Sequence, residues 1–161
     1  MGFRKVLDEV ETLDEYKDMD DDYYLAHAFV NKYGETPWEI GYYNEDEELM
    51  KVFGGDPVDF IVEDEVLKRN NTINELDLDA VEVEFETAKE TGEDELEELD
   101  VNGNVNRLMG ILQNLDEHVW NLTFVTDALE VANIKVNAEE GSIYESRKDN
   151  LMNMTKFDDG E

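Results

Sequence analysis

The chain has no cysteine, which excludes disulfides, thiolate nucleophiles and thiolate metal sites. Basic residues are scarce, 13 against 44 acidic, leaving a formal charge of −31. Phosphate contact needs Lys and Arg, so direct binding to nucleic acid or an anionic membrane is not expected. No run approaches the roughly eighteen apolar residues of a membrane span. Met1-Gly2-Phe3-Arg4-Lys5-Val6-Leu7-Asp8-Glu9 turns acidic before any apolar export segment can form, so a cytoplasmic protein is expected. Serine-nucleophile motifs and glycine-rich phosphate loops are missing too; Gly54-Gly55 runs into Asp56-Pro57 and reads as a turn.

What the chain does have is a matched pair of tryptophans. Trp38 and Trp120 each follow an acidic amphipathic segment and each open a strand-like stretch, Trp38-Glu39-Ile40-Gly41-Tyr42-Tyr43 and Trp120-Asn121-Leu122-Thr123-Phe124-Val125. Their offset of 82 residues also lays Phe3 on Phe85, Val6 on Ala88, Ala28 on Gly110, Phe29 on Ile111 and Val30 on Leu112. A shared period of that length points to one structural unit used twice. At 161 residues, 40% of them hydrophobic, the chain suffices for one domain or two small, closely packed halves.

Local patterns fill in the units. Phe3, Val6, Leu7, Val10 and Leu13 recur at helical spacing, predicting a helix over 3–17. Alternation over 23–30 sets Tyr24, Ala26, Ala28 and Val30 on one face of a strand and Tyr23, Leu25, His27 and Phe29 on the other. Strands follow at 38–43 and 49–53, with a candidate fourth at 58–62; turns are expected at Tyr33–Pro37 and a loop at Asn70–Thr72. Phe85, Ala88, Leu96 and Leu99 predict a second helix over 84–99, followed by strands at 106–114, 118–126 and 130–137 and a short one at 142–145. The expected architecture is α+β: two α-β-β-β repeats, each a helix packed on a curved antiparallel sheet. Residues 1–75 form the first repeat with its connector, 76–154 the second, and 155–161 a frayed tail.

The stretch Ile111-Leu112-Gln113-Asn114, then Val119 to Val125, then Asn133-Ile134-Lys135-Val136-Asn137-Ala138-Glu139-Glu140-Gly141-Ser142-Ile143, resembles the end of a PepSY-type domain. Asn137 stands where those domains carry Asp. The resemblance covers residues 84–145 and reaches the first half only through the repeat. It implies a cystatin-like fold and a binding or regulatory module, and carries over no catalytic residue.

Candidate sites are few. His27 and His118 lack a second ligand at metal spacing. Asp18, Asp20, Asp21 and Asp22 read as a solvated cluster at a helix end. The segment Asp100–Asn106 starts like a calcium loop but has Val105 in place of the glycine. No metal or cofactor is therefore expected. An aromatic pocket involving Tyr24, Tyr42 and His27, beside the structural Trp38 and Trp120, is the remaining candidate; an aromatic stripe on strands more often belongs to a core.

Acidic residues are spread over the whole chain among core positions. That favours adaptation to a salt-rich cytoplasm over a nucleic-acid mimic, which would gather its carboxylates on one face. The expectation is a non-enzymatic module that binds a protein or peptide by adding a strand to a sheet edge, with a homodimer also allowed. The alternatives are an acidic decoy that inhibits a DNA- or RNA-acting enzyme, and a small-molecule pocket, binding or enzymatic, of cystatin type.

Overall fold

The computed structural model describes residues 2–32, 38–55, 57–66 and 73–150. Eight antiparallel strands form one continuous sheet: β1 (Tyr23–Asn31), β2 (Trp38–Asn44), β3 (Leu49–Gly54), β4 (Phe60–Glu65), β5 (Val105–Asn114), β6 (His118–Thr126), β7 (Glu130–Asn137) and β8 (Ile143–Asn150). Their order across the sheet is β4-β3-β2-β1-β5-β6-β7-β8. The helices are α1 (Phe3–Val10), the single turn α2 (Asp14–Lys17) and the full-length α3 (Phe85–Glu98), with a 3-10 turn at Leu78–Ala80.

This corrects the expectation of two helix-on-sheet repeats. The fold is mostly sheet, and the C-terminal half of β1 (His27–Asn31) pairs with β5, so there are no two separate sheets to carry a helix each. The 82-residue offset survives as a contact. Ala28 pairs with Leu112, Phe29 with Ile111 and Val30 with Gly110, so residues related by the offset meet antiparallel about the Phe29–Ile111 pair. The predicted helix over 3–17 is also broken. Thr12 Oγ1 donates to Glu9 O and Leu13 turns extended, at φ −79 and ψ 145, which stops α1 after two turns. The sheet has a fourth strand in each half of the chain, and β8 runs to Asn150, beyond the short strand expected at 142–145. The turn at Tyr33–Pro37, the loop at Asn70–Thr72 and the frayed tail lie outside the described residues.

One face of the sheet carries the core. Residues directly opposite each other on paired strands share a face, and Val30, Trp38, Ile40, Leu112, Trp120, Leu122, Phe124, Ile134 and Val136 all point to the helices. The apolar stripe of α1 (Phe3, Val6, Leu7, Val10) and the Phe85, Ala88, Gly92 face of α3 bury against them. At the centre four rings interlock. Phe3 lies 5.7 Å from Trp38 and 5.9 Å from Trp120, Phe85 lies 5.6 and 5.5 Å from the same two, and the indoles are 6.1 Å apart. All but one of these pairs are edge-on or steeply tilted, the arrangement ring quadrupoles favour, each contributing about 0.5–1.5 kcal/mol beyond burial. Gly110 sits beneath them because a Cβ there would come within 3.1 Å of Phe85.

Segment 73–83 ties the two halves together. Leu76 N donates to Leu25 O, Asn74 Nδ2 to Asn114 O and Asn114 Nδ2 back to Glu75 O. The domain boundary expected after residue 75 falls inside this doubly anchored stretch.

Candidate functional site

The structure disperses the residues singled out above. Trp38 and Trp120 are core; Trp120 is fully buried and Trp38 is 7% exposed. Trp120 Nε1 donates to Val83 O at 2.7 Å, whereas the Trp38 indole N–H meets no acceptor among the described residues. Trp38 instead lines a cavity of about 380 Å³ with Val30, Lys32, Glu84 and Phe85. Lys32 lies near Lys89, and the second amine beside it pushes Lys32 below the usual lysine range.

His27 faces away from the helices. Its imidazole lies flat on Gly41, where a Cβ would come within 2.2 Å of the ring. Burial alone pushes its ionisation below the ordinary histidine value. No carboxylate hydrogen-bonds to it among the described residues, so a general-base pair is not formed there. Around it the uncovered face of the sheet holds a polar ladder: Asn133 Nδ2 donates to Asn121 Oδ1, Asn121 Nδ2 to Gln113 Oε1, and Lys135 Nζ to Asn133 Oδ1 and Glu145 Oε1. The lysine in turn holds Glu145 below the usual carboxylate range.

Tyr24 and Tyr42 part company at a bulge. Leu25 pairs with Tyr42 but the next pair is His27 with Gly41, which leaves Ala26 unpaired and switches the alternation. Tyr24 therefore sits opposite Tyr43, with their rings 6.0 Å apart, and its hydroxyl donates to Ile73 O. Tyr42 turns to the helix side and lines a second cavity, about 420 Å³, between α1, α2, the start of β1 and segment 75–78. That corrects the reading of 23–30 as one unbroken alternation.

His118 reaches a polar hollow of about 220 Å³ with Asp116, Glu117, Asn137 and Glu139. Its Nε2 accepts from Asp77 N at 2.9 Å, and Glu117 accepts from Asn137 Nδ2 at 2.8 Å, so these groups already serve the fold. Asn137 also caps the turn after β7, its Oδ1 accepting from the backbone of Glu139 and Glu140. Among the described residues no three His, Asp or Glu side chains converge as a metal site would require.

The sequence reading placed the two edges of the sheet only in part, at 58–62 and 142–145, where β4 runs over Phe60–Glu65 and β8 over Ile143–Asn150. β4 and β8 are each bonded to one neighbour only among the described strands. β4 exposes Ile61 and Val62 and carries Glu63-Asp64-Glu65; β8 exposes Ile143 and Tyr144 and carries Arg147-Lys148. Edge strands with one face in water lack the buried alternation that marks inner strands, which is why the pattern was weak. Among the described residues no helix is long and apolar enough to cross a membrane.

No family model matches the chain, and no curated protein matches it. Its fold is similar to that of a "putative lipoprotein" from Clostridium difficile 630, with a TM-score of 0.59 over 92% of this chain and 93% of that one at 16% identity. That is a likeness of fold alone.

Proposed function

We propose that the protein is a non-catalytic binding module that takes an extended segment of a protein partner onto the free edge of β8. The observation that carries this reading is the edge itself. β8 is an eight-residue antiparallel strand with one side unpaired among the described strands, and Ile143 (36% exposed) and Tyr144 (43%) stand open on it. Main-chain hydrogen bonds would supply affinity and alternate side chains selectivity. β8 balances Arg147 and Lys148 against Glu145 and Asp149, a neutral edge on a chain of charge −31, so it repels an acidic partner strand less than the rest of the surface does.

The PepSY-like reading of 84–145 belongs to the same proposal, since it implies a module that binds or restrains partners. So does the salt-adapted cytoplasm, supported by carboxylates distributed along the whole chain. The structural neighbour supports a second setting, a domain tethered at a membrane surface; cell fractionation with an antibody to this chain separates the two.

The test is selection of peptides from a displayed library on the immobilised protein, followed by hydrogen exchange on the complex. Slowed exchange in β8, with binding lost in Tyr144→Lys and retained in Val62→Lys on the opposite edge, supports the reading. Peptides that protect neither edge would sink it.

A further inference from the structure

The order of charges along β8 points to one particular partner strand. From Glu145 to Asn150 this strand pairs with β7 in unbroken register. Glu145 and Arg147 lie opposite Lys135 and Asn133, on the face that carries the polar ladder. Lys135 Nζ meets Glu145 Oε1 at 2.9 Å, so the ladder that starts at Gln113 runs out to this edge. Arg147 is exposed and forms no ion pair or hydrogen bond among the described residues. Ser146, between the two, lies opposite Ile134 on the helix face, where its Oγ donates to Glu95 at 2.6 Å.

Two copies of one strand pair antiparallel about a two-fold axis perpendicular to the sheet. Side chains alternate between faces, and directly opposite residues share a face. Each residue therefore faces either itself or one an even number of positions away. With the axis at Ser146, Glu145 of each copy faces Arg147 of the other, so the ion pair is made twice. Further out, Tyr144 comes beside Lys148 and Ile143 beside Asp149. An axis at Glu145, Arg147 or Lys148 would instead set two like charges against each other. The opposite edge has no such match, since the charged residues of β4 are Glu63, Asp64 and Glu65, all acidic. We propose that the strand taken by the β8 edge is β8 of a second copy, paired antiparallel about Ser146 so that the eight strands of each copy join in one sheet. This rests on the edge reading above and commits it to a partner.

Sedimentation velocity over a range of protein concentrations, at about 0.1 and 1 M salt, reads the association. A monomer–dimer equilibrium is expected, tightening with salt as screening relieves the repulsion between two chains of charge −31. Glu145→Arg and Arg147→Glu should each weaken the dimer about tenfold or more, because the axis repeats each altered pair. An equimolar mixture of the two variants should dimerise again, since every pair across the axis then joins opposite charges. Combining both substitutions in one chain should restore self-association for the same reason.

The chain has no cysteine, so Ser146→Cys adds its sole thiol. Directly opposite residues have Cα atoms about 4.5–5.5 Å apart, within reach of a disulfide, and mild oxidation should crosslink this variant rapidly. Lys148→Cys, about 13 Å along the strand from its own copy, should crosslink far more slowly. A chain that stays monomeric at every concentration and both salts overturns the inference; if selected peptides still protect β8, the edge reading survives its failure. Open polymers, the product if β8 took β4 of the next copy, overturn it as well. So does a dimer that the charge exchanges leave unchanged, or one in which both thiols crosslink equally fast.

Discussion

The core face of the sheet is closed more tightly around Trp120, on the β5 side of its centre, than around Trp38, on the β1 side. Trp120 is fully buried, with its indole N–H bonded to Val83 O, beneath a helix of 14 residues. β6 and β7 present Val119, Leu122, Ile134 and Val136 with no exposure at all. Trp38, at the related position, has no acceptor among the described residues, and the helix beside it has only 8 residues. β3 is mostly half-buried, and the cavities at Trp38 and at Tyr42 touch this side. The contrast teaches that like aromatic positions do not ensure like environments. The side under α3 is packed more fully, while the side with a short, interrupted helix keeps the two cavities.

Replacing the tryptophans tests the contrast most strongly. Trp120→Ala should cost about 3–5 kcal/mol, and the stranded Val83 carbonyl adds to the loss. Trp38→Ala should cost clearly less, because its site already opens into a cavity. Urea unfolding of both variants measures the gap, and equal losses would break the comparison.

Salt should act next. Repulsion within a chain of charge −31 falls as ions screen it. The unfolding temperature should rise from low salt to about 1 M, and at low salt amides of β3 should exchange before those of β6 and β7. A midpoint that stays flat would remove the salt-adapted reading; uniform exchange would remove the difference between the sides.

A smaller effect is expected at Gly41. An added Cβ would meet the His27 ring at 2.2 Å, forcing the imidazole or the strand to move at about 1–3 kcal/mol. Chemical denaturation of Gly41→Ala reads this directly, and a neutral result would show that the open side yields more readily than its packing implies.

The smallest signal is the titration of His27. Its folded-state ionisation lies below the ordinary value because burial disfavours the charged ring. The unfolded chain then binds the proton more readily. The stability is therefore present above the unfolded value, about 6.5, and is lost as pH falls through that value toward the lower folded one. His27→Gln should flatten stability between about pH 7 and 5.5, measured by urea unfolding at each pH.

Particular residues show how much could be read in advance. The inner strands were legible because their alternate residues are buried on one face, as with Leu122 and Phe124 or Ile134 and Val136. α3 was legible from Phe85 and Ala88. The outer strands were legible only at their starts, because Glu63–Glu65 and Arg147–Asp149 lie in water, where no periodic apolar signal is required. Of the site candidates, Tyr42 did reach a cavity, but its acidic partners Glu11, Asp20 and Asp21 looked like solvated surface. Only the packing of α1 and α2 against the start of β1 brings them to the wall of that cavity.

The amino-acid order by itself determined which residues want burial and the 82-residue correspondence that brings Phe3, Trp38, Phe85 and Trp120 into one cluster, because periodic hydrophobicity is a local property of the chain. Tertiary structure alone decided that β1 would pair with β5, joining both halves of the chain into one eight-stranded sheet. It also decided that a bulge at Ala26 would send Tyr24 and Tyr42 to opposite faces. Strand pairing between segments some eighty residues apart has no local signature, and a one-residue register shift exchanges every side chain between core and solvent.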